Sequence, residues 1–132
     1  VHIRAEKVER IAHDIPEAQV EGPPSGDLLM ISWGSTYGAA KTAFEKLRAS
    51  GHPLSHLHLR HLNPFPKNLG DILQRFERVV VPELNTGHLK WLLQARYLKP
   101  VVSISKVQGK PFKSVELEEK LKALLLNNPV AV

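Results

Sequence analysis

The sequence predicts a three-layer α/β/α domain built on a doubly wound, mainly parallel sheet. Short apolar runs alternate with amphipathic helical stripes, and a glycine-bearing turn follows several of the runs, which is the pattern of repeated βαβ units. The length, 132 residues, suits one such domain with its own core.

The chain opens with Val8, Ile11, Ala12 and Ile15 at helical spacing, which predicts a short amphipathic helix over 6–15. The run Glu21-Gly22-Pro23-Pro24-Ser25-Gly26 is expected to be a linker, so 1–26 reads as a helical arm and linker. The α/β domain is then expected over 27–127, with a tail over 128–132. Leu28 to Ile31 is uniformly apolar, as a strand covered on both faces should be. A helix follows, with Ala40, Ala43, Phe44 and Leu47 inward, ending near Gly51 and Pro53. Leu54 to Leu59 alternates, with Leu57 and Leu59 facing one way and His56, His58 and Arg60 the other. That predicts an edge strand, or one whose polar face meets another chain. The rigid Asn63-Pro64-Phe65-Pro66 loop leads to a helix carrying Leu69, Ile72, Leu73 and Phe76, with Asn68 placed as its cap. Val79 to Val81 is the third strand, stopped by Pro82. A helix over about 87–95 buries Leu89, Leu92 and Leu93, Val101 to Ile104 is the fourth strand, and a last helix after Ser114 buries Leu117, Leu121, Leu124 and Leu125. A strand order of 2-1-3-4 is the simplest topology for this series.

Composition narrows the function classes. The chain has no cysteine, which excludes disulfides, thiolate catalysis and cysteine-held zinc or iron–sulfur clusters within it. No apolar run approaches the roughly 20 residues that cross a bilayer, and a cytoplasmic location is expected. The net charge is +5, but the cations are interleaved with acids: Lys41, Lys46 and Arg48 share a stripe with Glu45, and Lys120 and Lys122 lie beside Glu116, Glu118 and Glu119. Such mixed faces are solvated rather than nucleic-acid binding.

Ligands in open α/β sheets gather beyond the carboxyl ends of the strands. Gly34-Ser35-Thr36-Tyr37-Gly38 lies there and offers helix-start amides and two hydroxyls, yet it is neither G-x-G-x-x-G nor a P-loop. Gly34 is expected to make the turn, Ser35 to cap the helix and Gly38 to permit close packing. Glu83 follows Pro82 and is expected to accept hydrogen bonds from neighbouring loop amides, with Asn85 or Thr86 capping the next helix. His52, His56, His58 and His61 cluster, but no acid stands near them in sequence to complete a metal shell. Half-exposed or interface positions are expected for them. Trp33, Trp91, Tyr37 and Tyr97 are expected to fill core or interface.

Four segments together resemble one family. They are Gly34-Ser-Thr-Tyr-Gly38, His56-Leu-His-Leu-Arg60-His-Leu-Asn-Pro-Phe-Pro66, Val81-Pro-Glu-Leu-Asn85-Thr-Gly87-His-Leu89 and Lys106-Val-Gln-Gly109-Lys-Pro-Phe112. The set resembles the transketolase C-terminal-like domain that ends the α subunit of 2-oxoacid:ferredoxin oxidoreductases, above all the 2-oxoglutarate branch. His88 and Lys110 stand where that family commonly has glutamine. The resemblance implies an assembly and interface domain, inactive alone, in an enzyme that decarboxylates a 2-oxoacid to an acyl-CoA and passes electrons to ferredoxin. It implies thiamine diphosphate, Mg2+, an iron–sulfur cluster and coenzyme A for the full complex and none of them in this chain, with the rest of the α subunit, a β subunit and ferredoxin as partners and a homodimer as an open option. The candidate strand-end surface is Gly34, Ser35, Thr36, Arg60, Pro64, Glu83, Asn85, Gly87 and Lys106, with no catalytic, cofactor-binding or metal residue expected. A free-standing flavodoxin-like nucleotide module, or the equivalent domain of another thiamine diphosphate enzyme, are the alternatives. The particular 2-oxoacid and any contact with coenzyme A are not legible in the residues.

Overall fold

A parallel sheet must cover both its faces, and the alternation inside the first long strand shows how this one does so. The computed structural model describes residues 15–62, 64–84, 88–106 and 111–126. In strand β2, Gly26–Trp33, Leu29 and Ile31 point into one core layer and Leu28 and Met30 into the other, all four at most 2% exposed. The second face meets helix α1, Tyr37–Ala49, through Ala40, Ala43, Phe44 and Leu47, and helix α4, Ser114–Leu126, through Leu117 and Leu121. The first face meets helix α2, Leu69–Gln74, through Leu69, Ile72 and Leu73, and helix α3, His88–Tyr97, through Leu89 and Leu93. Each buried Leu, Ile or Val contributes about 1.5–3 kcal/mol. A partly exposed pair such as Lys46 and Glu118, 3.7 Å apart between α1 and α4, contributes about 0–1 kcal/mol, so apolar burial holds these helices down.

The other strands are β1, Val20–Glu21, β3, Leu54–Leu59, β4, Phe76–Leu84, and β5, Val102–Lys106. The sheet order is β1-β3-β2-β4-β5. All neighbours run parallel except β1, which pairs antiparallel with β3 through Val20↔Leu57 and Glu21↔His56. The four expected strands therefore lie in the expected 2-1-3-4 order, with one further strand on the edge. The chain moves outward from β2 to β3, then returns to the far side of β2 with β4. A uniform crossover hand then puts α1 on one face and α2 and α3 on the other.

Several local expectations are corrected. Glu21 and Gly26 are strand residues rather than linker, leaving a turn over 22–25. Asn68 occupies the cap position of α2, but its side chain makes no cap hydrogen bond; it clamps the Ala18 backbone instead, donating to the carbonyl at 2.9 Å and accepting from the amide at 2.8 Å. Strand β4 runs through Pro82, because β4 pairs with β2 only as far as Val80 and the missing N–H falls where the strand has a partner on one side only. Leu92 is 36% exposed rather than buried, and Trp91 stands 61% exposed on α3 rather than filling the core. The expected helix over 6–15 lies outside the described residues apart from Ile15, and the tail over 128–132 lies wholly outside them. No helix among the described residues is long and apolar enough to cross a membrane.

Candidate functional site

Because β2 to β5 are parallel, the loops that follow them share one end of the sheet, and the order reverses between β2 and β4. Gly34 opens a 3-10 turn over Gly34–Thr36 with φ of +59°, a conformation in which a Cβ would be strained. Gly34 and Ser35 are exposed. Ser35 lies inside this turn and does not cap α1. The buried residue is Thr36, whose hydroxyl donates to the Trp33 carbonyl at 2.7 Å and locks the turn. Gly38 has open space where a Cβ would stand, so close packing does not require it. Arg60 is exposed just after β3, and Pro64 is half-buried in the next loop. Glu83 is 2% exposed near the end of β4, and its carboxylate accepts from the amides of Leu89 at 2.6 Å and Lys90 at 3.1 Å. Those amides belong to the first turn of α3, where a negative charge also favours the helix dipole. Glu83 thus fastens α3 to the sheet. Lys106 ends β5, paired with Leu84. Asn85, Thr86, Gly87 and the segment 107–110 lie outside the described residues.

A second constellation was not singled out from the sequence. The register Met30↔His56 and Ser32↔His58 sets Ser32 beside the two histidines of β3. Ser32 Oγ lies 2.7 Å from His56 Nε2 and 2.9 Å from His58 Nδ1. On the other side of His56, Glu21 Oε1 of β1 stands 3.6 Å from Nδ1, beyond hydrogen-bond length, and that nitrogen has no hydrogen-bond partner among the described residues. Tyr37 and Phe44 of α1 close over the pair, with ring centroids 6.2 Å and 5.6 Å from His56, and Tyr37 lies 4.5 Å from His58. The polar face of β3 is therefore buried beneath the chain's own first helix, with β1 along its edge. This corrects the expectation of an open edge strand and, for the fully buried His56, of a half-exposed or interface position; His58 is half-buried. The sequence did carry a signal: a lone serine in an otherwise apolar run needs a partner.

Burial drives the His56 pKa down to about 4, with the charges of His58 and Lys41 adding to the effect, so the ring is neutral at physiological pH. His58 is also lowered, by burial first and the Arg60 guanidinium next. Lys41 is raised; its ammonium donates to the Tyr37 hydroxyl at 3.2 Å and lies 3.8 Å from Glu21. Ser32, His56 and Glu21 have the sequence of groups found in a hydrolytic triad. Ser32 is wholly buried, however, and no acyl substrate can reach its oxygen. The arrangement works as a polar lock between β2, β3, β1 and α1. Beside it lies a cavity of about 380 Å3, whose walls include Glu17, Glu21, Tyr37, His58, Arg60 and His61.

A doubly wound, mainly parallel sheet, with a buried carboxylate fastening one helix start and a sealed Ser–His pair beside a cavity, defines this chain as an α/β domain. The chain belongs to the family described as pyruvate:ferredoxin oxidoreductase core domain II, whose model matches residues 26–116. It is 41% identical over 126 residues to 2-oxoglutarate oxidoreductase subunit KorA of Mycobacterium tuberculosis, covering 95% of this chain and 19% of that one. Among solved structures it resembles 2-oxoglutarate:ferredoxin oxidoreductase from Magnetococcus marinus with 2-oxoglutarate, coenzyme A and succinyl-CoA bound, with a TM-score of 0.82 and 24% identity over 89% of this chain and 21% of that one. A split gene transketolase, in an inactive β4 tetramer, has the same fold at a TM-score of 0.61 and 19% identity, over 83% of this chain and 41% of that one. The chain spans about a fifth of the length of the curated relatives it matches.

Proposed function

We propose that this chain is the C-terminal assembly and interface domain of the α subunit of a 2-oxoglutarate (2-oxoacid):ferredoxin oxidoreductase. The observation that carries this reading is the 41% identity to subunit KorA along nearly the whole chain. In it the complete enzyme, in the cytoplasm, decarboxylates a 2-oxoacid oxidatively, forms an acyl-CoA and reduces ferredoxin. Residues 27–127, extended by Gly26 and by β1 at Val20–Glu21, act as the domain proper, the residues before β1 as the arm that joins it to what precedes, and 128–132 as a tail. Of the strand-end rim, Gly34, Ser35, Arg60, Pro64, Asn85, Gly87 and Lys106 face the rest of the α subunit or the β subunit, and the buried Thr36 and Glu83 hold its turns in place.

Chemistry of the donor set supports assigning the cofactors to other parts of the complex. With no cysteine in the sequence, this chain's residues do not fit an iron–sulfur cluster. Among the described residues no three His, Asp or Glu side chains converge as a metal site would need. On this reading the iron–sulfur cluster sits elsewhere in the assembly, thiamine diphosphate, Mg2+ and coenzyme A serve the full complex, and the domain contributes by positioning. Co-purification of the full-length protein with its β partner, assayed for 2-oxoglutarate-dependent reduction of a low-potential acceptor, tests this. Activity is expected from the pair and not from the 132 residues alone; turnover by the 132 residues alone sinks the reading.

A further inference from the structure

We propose that the cavity bounded by Tyr37, His58 and Arg60 binds a small oxyanion that carries its own hydrogen-bond donor, such as hydrogen phosphate or a 2-hydroxy carboxylate. Charge selects the anion. Two acids in the wall are already matched by lysines, Glu17 by Lys67 at 3.8 Å and Glu21 by Lys41 at 3.8 Å. Arg60 has no ion pair among the described residues, and its guanidinium leaves its end of the cavity positive and unmatched. The cavity, about 380 Å3, has the size of a small-ligand site.

The buried lock selects the donor. Glu21 Oε1, 3.6 Å from His56 Nδ1, favours a hydrogen rather than a lone pair on that nitrogen. His56 Nε2 then accepts, so the Ser32 hydroxyl donates to it across 2.7 Å. Having spent its single proton there, Ser32 Oγ accepts from His58 Nδ1–H at 2.9 Å. His58, neutral with this tautomer, keeps its lone pair on Nε2, the nitrogen left for the cavity it lines. An oxyanion that can donate to this lone pair while Arg60 holds its charge satisfies both groups. One without a proton sets a second lone pair against the first.

Hydrogen phosphate and sulfate test this at about pH 8, where both are dianions of the same shape and only phosphate carries a proton. Lactate and propionate form a matching carboxylate pair. Calorimetry on the full-length protein, wild type and Arg60→Gln, should show the donor-bearing member of one pair binding at least about tenfold more tightly than its match, with that binding lost in the variant. Whichever pair responds identifies the ligand's source. Arg60 is exposed, so the variant folds. Equal binding within each pair, or binding indifferent to Arg60→Gln, means an adventitious ion only and overturns the proposal, as does no binding at millimolar concentration. Ring-nitrogen NMR gives a second readout, and a proton on His58 Nε2 in place of Nδ1 would refute the site.

Discussion

Among the described residues, His56 is the one whose surroundings most oppose ionisation. Its folded pKa lies at about 4 against an ordinary value of 6.5, because burial beneath Tyr37 and Phe44 strips the imidazolium of water. The unfolded chain therefore binds the extra proton first as pH falls. The associated stability is fully present above about pH 6.5 and is lost as pH drops through 4, to a limit of about 3 kcal/mol. Urea denaturation across that window should show a steep slope that shrinks in His56→Phe, and an equal slope in both would remove His56 as the cause. Glu83 answers to the opposite need, since its charge is wanted. In Glu83→Gln one amide of the first turn of α3 faces a donor instead of an acceptor, and stability should fall by about 1–3 kcal/mol in equilibrium denaturation. The role of Glu83 was legible from its place after Pro82 at a strand end. That of Ser32 was not, because its partners lie on another strand and only the register brings them together.

Among elements, the four long strands and the helices between them were readable from periodicity, because each buries enough side chains to leave a pattern. Strand β1 has two residues and sits beside a glycine–proline run, so it leaves none. It is held by what surrounds it: two hydrogen bonds between the Asn68 side chain and the Ala18 backbone, one accepted and one donated by Asn68, and a turn at Gly22 with φ of +88°. A Cβ at Gly22 would stand 3.1 Å from the Leu54 carbonyl oxygen and 3.3 Å from the Phe44 ring. Gly22→Ala should therefore cost about 1–2 kcal/mol and speed amide exchange at Val20 and Glu21. Full retention of stability would mean that β1 contributes little to the edge. The caps were misread for a common reason. Ser35 and Asn68 have the right side chains near helix starts, but the first lies within a 3-10 turn and the second is drawn to a more distant backbone.

At the scale of the molecule, the strand order followed from one contrast visible in the residues: two runs are apolar throughout, a third is broken only by Ser103, and one alternates, so the alternating strand belongs nearest an edge. What covers its polar face did not follow, since α1 packs there by tertiary contacts rather than by any local preference. The outward face of α3 was equally hidden: Trp91, expected to fill core or interface, stands 61% exposed there. Strand β2 has a further bearing on how the protein is made. Among the described strands it is the first long one to be synthesised, yet both of its neighbours come later, one ending at Leu59 and the other at Leu84. Until β4 is complete, about fifty residues after Trp33, Leu28-Leu29-Met30-Ile31 keeps at least one bare hydrogen-bonding edge. Nascent chains stalled in that interval are the ones that should cling to chaperones or to each other.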